Sequence, residues 1–393
     1  MPAPCYPSHT LARNLLWSSR PQVAMPVSRR PAALHSRPAR RMRALGLLSA
    51  VLALARTSPA LASPGLEGTR HLGMGGASRA SSRGTGAMLV NPANLGFTRQ
   101  FEITPAYQVR VLDNTHGIGF MAMDSLNNER LALGLGYIAT VGGPKITYED
   151  VNGDKQTLQL VHGGHEVGMP ISLNAVLGWL AFGIRPKFQF SSLRFRDADG
   201  ARQEVVKDHT AFGLDAAMTI SFRQYVTVSV VGQNLTGPAP PATTLNLAPL
   251  VFNPLTLDRS RVSPVSDYPR TVAHALAVFP TRSPGFSLNF DGLYDFTSYR
   301  TTADKFTRMV FAGGAEYTIR NIVPLRVGGS WDSRGRGTAD DRGYIAFGLG
   351  FTRPATKGTV GFDLGVGFSR QITGPNPETV LGINLGLLLN PAF

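Results

Sequence analysis

The feature of this 393-residue sequence that most restricts its fold is a repeated alternation of apolar residues with small or polar ones. Val360, Phe362, Leu364, Val366 and Phe368 fall at every second position, and glycine and aspartate occupy the positions between them. Successive side chains of a β-strand point to opposite faces, so such a segment has one apolar face and one small or polar face. A helix is excluded, because glycine at every second position would cost about 1 kcal/mol each. The same pattern recurs at 212–222, 345–351 and 381–389.

An alternating sheet can form a soluble sandwich or a membrane barrel, and the composition favours the barrel. Only 16% of the residues are charged, against roughly 25% in an ordinary soluble domain. After residue 62 no run of 18 apolar residues occurs, so the sequence predicts no transmembrane helix. In a membrane barrel the apolar faces contact lipid, while the glycine and polar faces line the lumen.

The alternation predicts fourteen strands joined by connections of two kinds. Every second connection is short, whereas the long ones, notably 140–169 and 236–268, fall at odd places in the order. Short periplasmic turns alternating with long outer loops are typical of a membrane barrel. We therefore predict an all-β protein, a 14-stranded antiparallel transmembrane β-barrel. The predicted strands are 101–112, 116–124, 129–139, 170–179, 181–195, 203–222, 224–235, 269–281, 285–298, 306–319, 322–332, 342–353, 357–370 and 378–390.

The first sixty-two residues have the character of a targeting segment. They contain nine arginines and no acidic residue, so they carry most of the net charge of +14. Basic residues, an apolar run at 44–55 and an Ala-x-Ala site predict a signal peptide that begins at Met42 and is cleaved after Ala62. A membrane anchor or a transit peptide is the alternative. Because the charge lies in this leader, it does not indicate nucleic-acid binding.

The two longest connections have distinct predicted structures. In 140–169 an Asn-Gly pair at 152–153 favours a type I′ turn, so this loop is expected to fold outward as a β-flap. The loop 236–268 combines six prolines with an apolar stretch at 245–257. Proline excludes a regular strand there, and we expect this loop to fold over or into the barrel mouth.

Between the leader and the first strand lies a glycine-rich segment followed by an Asn-Pro-Ala triplet. Its glycines allow close backbone approach and positive φ, and an asparagine before proline is held extended and can cap a turn. These motifs resemble the outer-membrane long-chain fatty-acid transporter (FadL-like) superfamily, including its secretion-associated relatives. The resemblance implies that residues 63–100 fold as a hatch inside the lumen of a barrel formed by 101–393. The hatch motif comprises Gly73, Met74, Gly75, Gly76, Ala77, Asn91, Pro92 and Ala93.

The remaining candidate functional residues are the last residue of the chain and the residues whose place in the alternation predicts that they face the lumen. Phe393 resembles the terminal signal read by the barrel assembly machinery. Among the residues predicted to face the lumen, which also include Asp291, Asp332 and Asp363, the candidates for a substrate site are Arg185, Lys187, Asp215, Glu316 and Arg326. Among these, Arg185, Lys187 and Arg326 are the candidates to meet a substrate carboxylate.

The sequence predicts no catalytic residue, metal site or cofactor. No nucleophile elbow or Ser/His/Asp spacing stands out, and His162 with His165 lacks a carboxylate partner at metal-ligand spacing. The resemblance implies an outer-membrane channel for passive uptake of hydrophobic or amphipathic small molecules such as long-chain fatty acids. The alternative is a barrel-type binding or assembly protein associated with protein secretion. The expected partners are the outer-membrane lipid bilayer, the barrel assembly machinery and a hydrophobic ligand.

Overall fold

The computed structural model describes residues 66–112, 114–126, 128–143, 145–149, 155–196, 202–222, 225–236, 269–281, 285–296, 307–333, 341–374 and 377–390. The predicted signal peptide, most of the loop 236–268 and Phe393 therefore lie outside the described residues. Three short helices precede the strands: α1 Thr69–Gly73, α2 Thr85–Val90 and a 3-10 helix Pro92–Phe97. The strands are β1 Phe101–Arg110, β2 Thr115–Asp124, β3 Leu131–Gly142, β4 Lys145–Glu149, β5 Lys155–Gly168, β6 Ile171–Val176, β7 Leu180–Arg196, β8 Arg202–Phe222, β9 Val226–Gln233, β10 Thr271–Val278, β11 Phe286–Asp295, β12 Arg308–Ile319, β13 Val323–Ser333, β14 Arg342–Arg353, β15 Thr359–Thr373 and β16 Thr379–Asn390.

These strands form one antiparallel sheet that closes on itself. The first and last strands pair with each other, with Phe101 opposite Leu389. Strands β5 and β6 lie end to end between β3 and β7, interrupted at Met169 and Pro170, and together make one wall strand. Strand β4 pairs with β5 as an extra strand. The result is a closed barrel of fourteen strands, which confirms the predicted fold class.

The connection 140–169 differs from its prediction. A β4–β5 hairpin is present, with Lys145 opposite Gln159. However, β5 also pairs with β3 and β7, so it extends the barrel wall rather than forming a separate flap. The prediction was wrong because glycines, histidines and polar residues dominate β5, and such a strand lacks the apolar alternation that marks the others.

The two faces of the wall have opposite chemistry. Leu385 and Ile383 on β16 are 54% and 46% exposed, whereas Asn289 and Thr219, on inward-facing positions, are fully buried. An apolar exterior over a polar interior is the arrangement of a barrel whose solvent is lipid. No helix within the described ranges is long and apolar enough to cross a bilayer.

The two ends of the barrel are distinguished by their connections. At one end the strands are joined by tight turns, such as 177–179 and 320–322. At the other end lie the long connections, including 234–270 and 296–307. We call these the turn end and the loop end, and barrels of this kind place the turn end in the periplasm.

Candidate functional site

Residues 66–98, here called the plug, run through the interior of the barrel. Helix α1 packs against β13–β16, helix α2 packs against β1–β3, and the 3-10 helix packs against β6–β8. Leu66, Met88 and Leu95 form an apolar cluster with Met121 and Met123 of the wall strand β2. The plug therefore occupies part of the space that the inward-facing side chains leave open.

Glycines on both sides allow the plug backbone to touch the wall. A Cβ atom added to Gly73 would lie 2.8 Å from the Cα of Gly348, and one added to Gly75 would lie 2.6 Å from the amide nitrogen of Gly329. Gly75 also has a φ of 64°, which a side-chain-bearing residue rarely adopts. The contact is thus backbone against backbone, and a methyl group on Gly73, Gly75 or Gly348 would push the plug and the wall apart.

The rest of the glycine motif is also packed. Met74 and Ala77 have no exposed surface. Gly76 has a φ of 95°, and its amide nitrogen donates to the carbonyl oxygen of His71 at 2.8 Å, closing the turn that follows α1. The residues at 73–77 thus form the tight turn by which the plug leaves α1.

The Asn-Pro-Ala triplet anchors the second half of the plug. Asn91 is extended, with φ −160° and ψ 92°, and its side-chain oxygen accepts from the amide of Ala93, which begins the 3-10 helix with Pro92 at its first position. The side-chain nitrogen of Asn91 donates to the carbonyl of Arg79 at 2.8 Å and to the hydroxyl of Thr219 at 3.0 Å. Asn91 therefore joins two parts of the plug to the wall.

Two ionic contacts also hold the plug. Arg70 binds Glu316 in bidentate fashion, with both nitrogen–oxygen distances 2.9 Å, and Arg326 donates to the same carboxylate at 2.6 Å. Asp291 accepts from the backbone amide of Arg79 at 3.0 Å and from its guanidinium at 3.1 Å. Two of the predicted lumen residues, Glu316 and Arg326, thus meet at a plug arginine.

The other three predicted lumen residues form a second cluster. Arg185 contacts Asp215 at 2.8 Å and Glu166 at 3.0 Å. Lys187 contacts Asp215 at 2.9 Å, and all four side chains are buried. Two cations thus face two carboxylates, and the amide of Asn234 donates to Asp215 as well, at 2.8 Å. Since these cations already pair with protein carboxylates, their geometry gives no support to the prediction that they bind a substrate carboxylate.

A cavity of about 410 Å³ lies between the plug and the loop end. Gln233, Thr271 and Asp295, which end or begin strands at the loop end, line its mouth. Such a volume is within the usual range for small-molecule pockets. Apolar side chains of the plug and the wall line its interior: Leu66, Leu72, Leu89, Val90, Ile138, Leu293, Val310 and Val380.

The cations that line this cavity are matched by acids. Besides the cluster at Arg185 and the Arg79–Asp291 pair, Arg308 binds Asp332 through two contacts of 2.7 and 2.8 Å. Arg110 lies 3.8 Å from the carboxylates of both Glu67 and Glu378. Within the described ranges, every arginine and lysine lining the cavity therefore has a carboxylate partner.

His71 contributes a neutral polar group to the cavity floor. Burial, followed by the charges of Arg79 and Arg70, holds the pKa of His71 well below its usual value. The imidazole is therefore uncharged near pH 7, and its Nδ1 makes a 2.9 Å hydrogen bond with the hydroxyl of Ser78.

The sequence reasoning assigned no role to Arg70, Arg79 or Glu166. The signal that could have found the two arginines is their position in a glycine-rich, acid-poor segment predicted to enter a lumen that contains acids. A buried cation needs a partner, but the sequence does not identify which acid supplies it. Glu166 was hidden because its strand was assigned to a loop.

Comparisons with known proteins agree with this architecture. No protein-family model and no curated protein matches the chain. Among solved structures, the CymD monoaromatic hydrocarbon channel is similar, with a TM-score of 0.56 and 13% identity over 83% of this chain and 98% of that one. The Pseudomonas putida toluene transporter TodX gives a TM-score of 0.54 and 13% identity over 84% and 100%. A Pseudomonas aeruginosa FadL homologue gives 0.50 and 12% over 84% and 99%. This likeness shows that the chain has the same fold as these channels, a closed β-barrel with an apolar outer face.

Proposed function

We propose that this protein is a passive outer-membrane channel for hydrophobic or amphipathic small molecules. The observation that carries the proposal is the cavity on the loop side of the plug, which is lined in part by apolar side chains and lies within a barrel whose outer face is apolar. A molecule of low solubility gains roughly 25 cal/mol for each Å² of apolar surface that it removes from water on entering such a space. The named functions of the similar structures, channels for monoaromatic hydrocarbons and toluene, support the same class of cargo.

The proposed mechanism has three steps and no chemistry on the cargo. The cargo enters from the loop end and occupies the cavity against the plug. The plug then moves and opens a path toward the turn end. Hence the residues at 73–77 and 91–93 act as a hatch, and the 3-10 helix must leave the wall strands β6–β8 for each passage.

The lining of the same cavity bears on which part of the cargo it binds. Long-chain fatty acids and monoaromatic hydrocarbons share an apolar body that suits Leu72, Leu89 and Val310. They differ in the carboxylate, for which the paired cations around the cavity offer no vacant partner. We therefore expect the cavity itself to select for the apolar part of the cargo.

Uptake by intact cells tests the proposal. The full chain would be expressed in a host that lacks its own hydrophobic-uptake channel, and initial uptake of labelled toluene and labelled oleate would be compared with empty-vector cells. We expect faster uptake of at least one cargo. Uptake of both at the empty-vector rate, with folded barrel present in the outer membrane, would refute the proposal. Copurification of a stoichiometric exported protein would instead favour a secretion-associated role.

A further inference from the structure

At the floor of the cavity, one nitrogen of a buried imidazole has no hydrogen-bond partner. His71 is 7% exposed and lines the cavity. Its Nδ1 makes the 2.9 Å hydrogen bond with the hydroxyl of Ser78, whereas Nε2 has no partner among the residues that the structure describes. Because buried polar groups are normally hydrogen-bonded, a free one beside a cavity indicates a place for a polar group of a ligand.

The space beside this nitrogen is lined by small residues. A Cβ atom added to Gly76 would lie 3.8 Å from Nε2 of His71 and 3.6 Å from the Cβ of Ala312 on β12. Both Gly76 and Ala312 line the cavity. Since Gly76 has no side chain and Ala312 has a single methyl group, neither fills the space next to Nε2.

The barrel wall provides a second neutral polar group at this place. Ser330 on β13 lies directly opposite Ala312 in the strand register, and both residues line the cavity. Directly opposite residues on one face of a sheet have Cβ atoms about 4.5–5.5 Å apart. The hydroxyl of Ser330 makes no hydrogen bond within the described ranges. Two neutral groups without partners are therefore found near Ala312.

Apolar side chains adjoin these two polar groups. Val310 precedes Ala312 by two residues on the same face of β12, and Leu293 lies opposite Val310 on β11. Leu72, which follows His71 in the plug, lines the cavity together with them. A molecule whose polar group lies at Ala312 therefore has apolar surface for the rest of its body.

The nearby charges disfavour an ionic ligand group. Asp291 lies opposite Ala312 on β11, and its carboxylate is 3.1 Å from the guanidinium of Arg79. An anionic group at Ala312 would therefore lie next to a carboxylate, and a cationic one next to a guanidinium. Burial, followed by the charges of Arg79 and Arg70, also holds the pKa of His71 well below its usual value, so the imidazole adds no charge at neutral pH.

A hydroxyl group suits both forms of the neutral imidazole. If Nδ1 donates to Ser78, then Nε2 is an acceptor, and if Nδ1 accepts from Ser78, then Nε2 carries the proton and donates. A hydroxyl group both donates and accepts, whereas a ketone or an ether accepts only. A hydroxyl group can therefore bond to Nε2 in either case.

We propose that the cavity floor is a binding site for the hydroxyl group of an uncharged apolar molecule, a phenol or an alcohol, with His71 and Ser330 as its hydrogen-bonding ligands. The inference rests on the proposed function and narrows its cargo, because it assigns the polar end of an amphipathic molecule to one place in the cavity. The apolar body then packs against Leu72, Leu293 and Val310.

Calorimetric titration of the purified full chain in lipid nanodiscs at pH 7, with protein-free nanodiscs subtracted, tests this site. The probes are para-cresol, toluene and para-toluate, which share a methylated ring and carry a hydroxyl group, no polar group and a carboxylate. The parent protein should bind para-cresol about two- to tenfold more tightly than toluene, the gain from a neutral hydrogen bond. It should bind para-toluate more weakly than para-cresol, because a charged group loses more on leaving water.

Two variants remove the proposed ligands one at a time. His71→Phe keeps a ring but has no nitrogen, so it should raise the Kd of para-cresol about five- to a hundredfold, the cost of a buried hydroxyl group without a partner. Ser330→Ala should raise it about two- to tenfold. Both should leave the Kd of toluene within about twofold of the parent value. The matched control is Ser369→Ala, which removes a cavity-lining hydroxyl two strands from Ser330 and should change no Kd.

The outcomes separate this inference from the proposed function. An unchanged Kd of para-cresol in His71→Phe would overturn the inference, and so would para-toluate that binds the parent more tightly than para-cresol. If His71→Phe weakens toluene as much as para-cresol, the plug itself is disturbed, and Ser330→Ala on the wall decides: a para-cresol Kd at the parent value overturns the inference. If the parent binds toluene as tightly as para-cresol, only the inference falls. If it binds neither, the proposed function falls with it.

Discussion

Replacing Gly328, which does not itself line the cavity, with alanine should loosen the plug. The new Cβ atom would lie 2.2 Å from the carbonyl oxygen of Met74, 2.3 Å from its carbonyl carbon and 2.9 Å from the amide nitrogen of Gly75. All three are backbone atoms, so no side chain can rotate away. The plug must instead move off β13 by roughly the difference from an ordinary 3.4–4 Å contact.

The magnitude follows from the cost of overpacking. Forcing an extra carbon into a well-packed contact typically costs about 1–3 kcal/mol. If that cost falls on the seated plug alone, the equilibrium between seated and released plug shifts about five- to a hundredfold toward release. The barrel wall should keep its stability, because the wall strands are held by their own hydrogen bonds.

The shift can be measured as the labelling rate of a cysteine placed in the plug. Ala77 is fully buried, and the only native cysteine is Cys5, so Ala77→Cys in a Cys5→Ser background reports plug release alone. When release and return are fast, labelling by a water-soluble maleimide tracks the population of released plug. Gly328→Ala should raise this rate about five- to a hundredfold.

The matched control is Gly313→Ala on the neighbouring strand. Its Cβ would meet only the ring of Phe290, at 3.8 Å, which is an ordinary contact. Its labelling rate should equal that of the background. An unchanged rate in Gly328→Ala, or an equal rise in both variants, would show that close backbone contact does not hold the plug.

Three further predictions address the charged groups. Asp291→Ala removes the acceptor of two backbone amides and the partner of Arg79, so labelling at the plug cysteine should rise about tenfold or more. An unchanged rate would refute this anchor. Arg185→Gln removes one of the two cations that neutralise Asp215 and Glu166 in a buried cluster. Breaking such a pair typically costs about 3–5 kcal/mol. The temperature at which the barrel loses its gel-mobility shift should therefore fall clearly. His71 has a pKa well below its ordinary value in the folded state, so the unfolded plug binds more protons as the pH falls below about 6.5. Relative to the labelling rate of a free thiol at the same pH, which corrects for the thiolate fraction, labelling should therefore accelerate below pH 6.5 and be flat above it. His71→Gln should lose this dependence, and equal pH profiles would contradict the prediction.

Much of the barrel could be predicted from the sequence, because a lipid-facing strand must be apolar at every second residue. The stretches 360–368 and 381–389 follow this rule throughout, and both of their strands were predicted within a few residues. Strand β5 was not predicted, because its glycines and histidines do not alternate with apolar residues.

The partners of the charged residues were harder to predict. Arg185 lies directly opposite Asp215 in the register of β7 and β8, and Glu316 lies opposite Arg326 in that of β12 and β13. Such cross-strand pairs are accessible once the register is known. The contact between Arg70 and Glu316 joins residues 246 positions apart, and it depends on how the plug sits in the lumen. No local pattern encodes that placement.

The central claim is that cargo passes only when the 3-10 helix of the plug leaves the wall. A Cβ atom at Gly96 would lie 3.5 Å from that of Asn174 on β6, within the spacing that a disulfide requires. In cells that express Gly96→Cys with Asn174→Cys in the Cys5→Ser background, oxidation should reduce uptake of the transported cargo to the empty-vector rate, and a reductant should restore it. Equal uptake by the oxidised and reduced forms, with the disulfide verified, would contradict the claim.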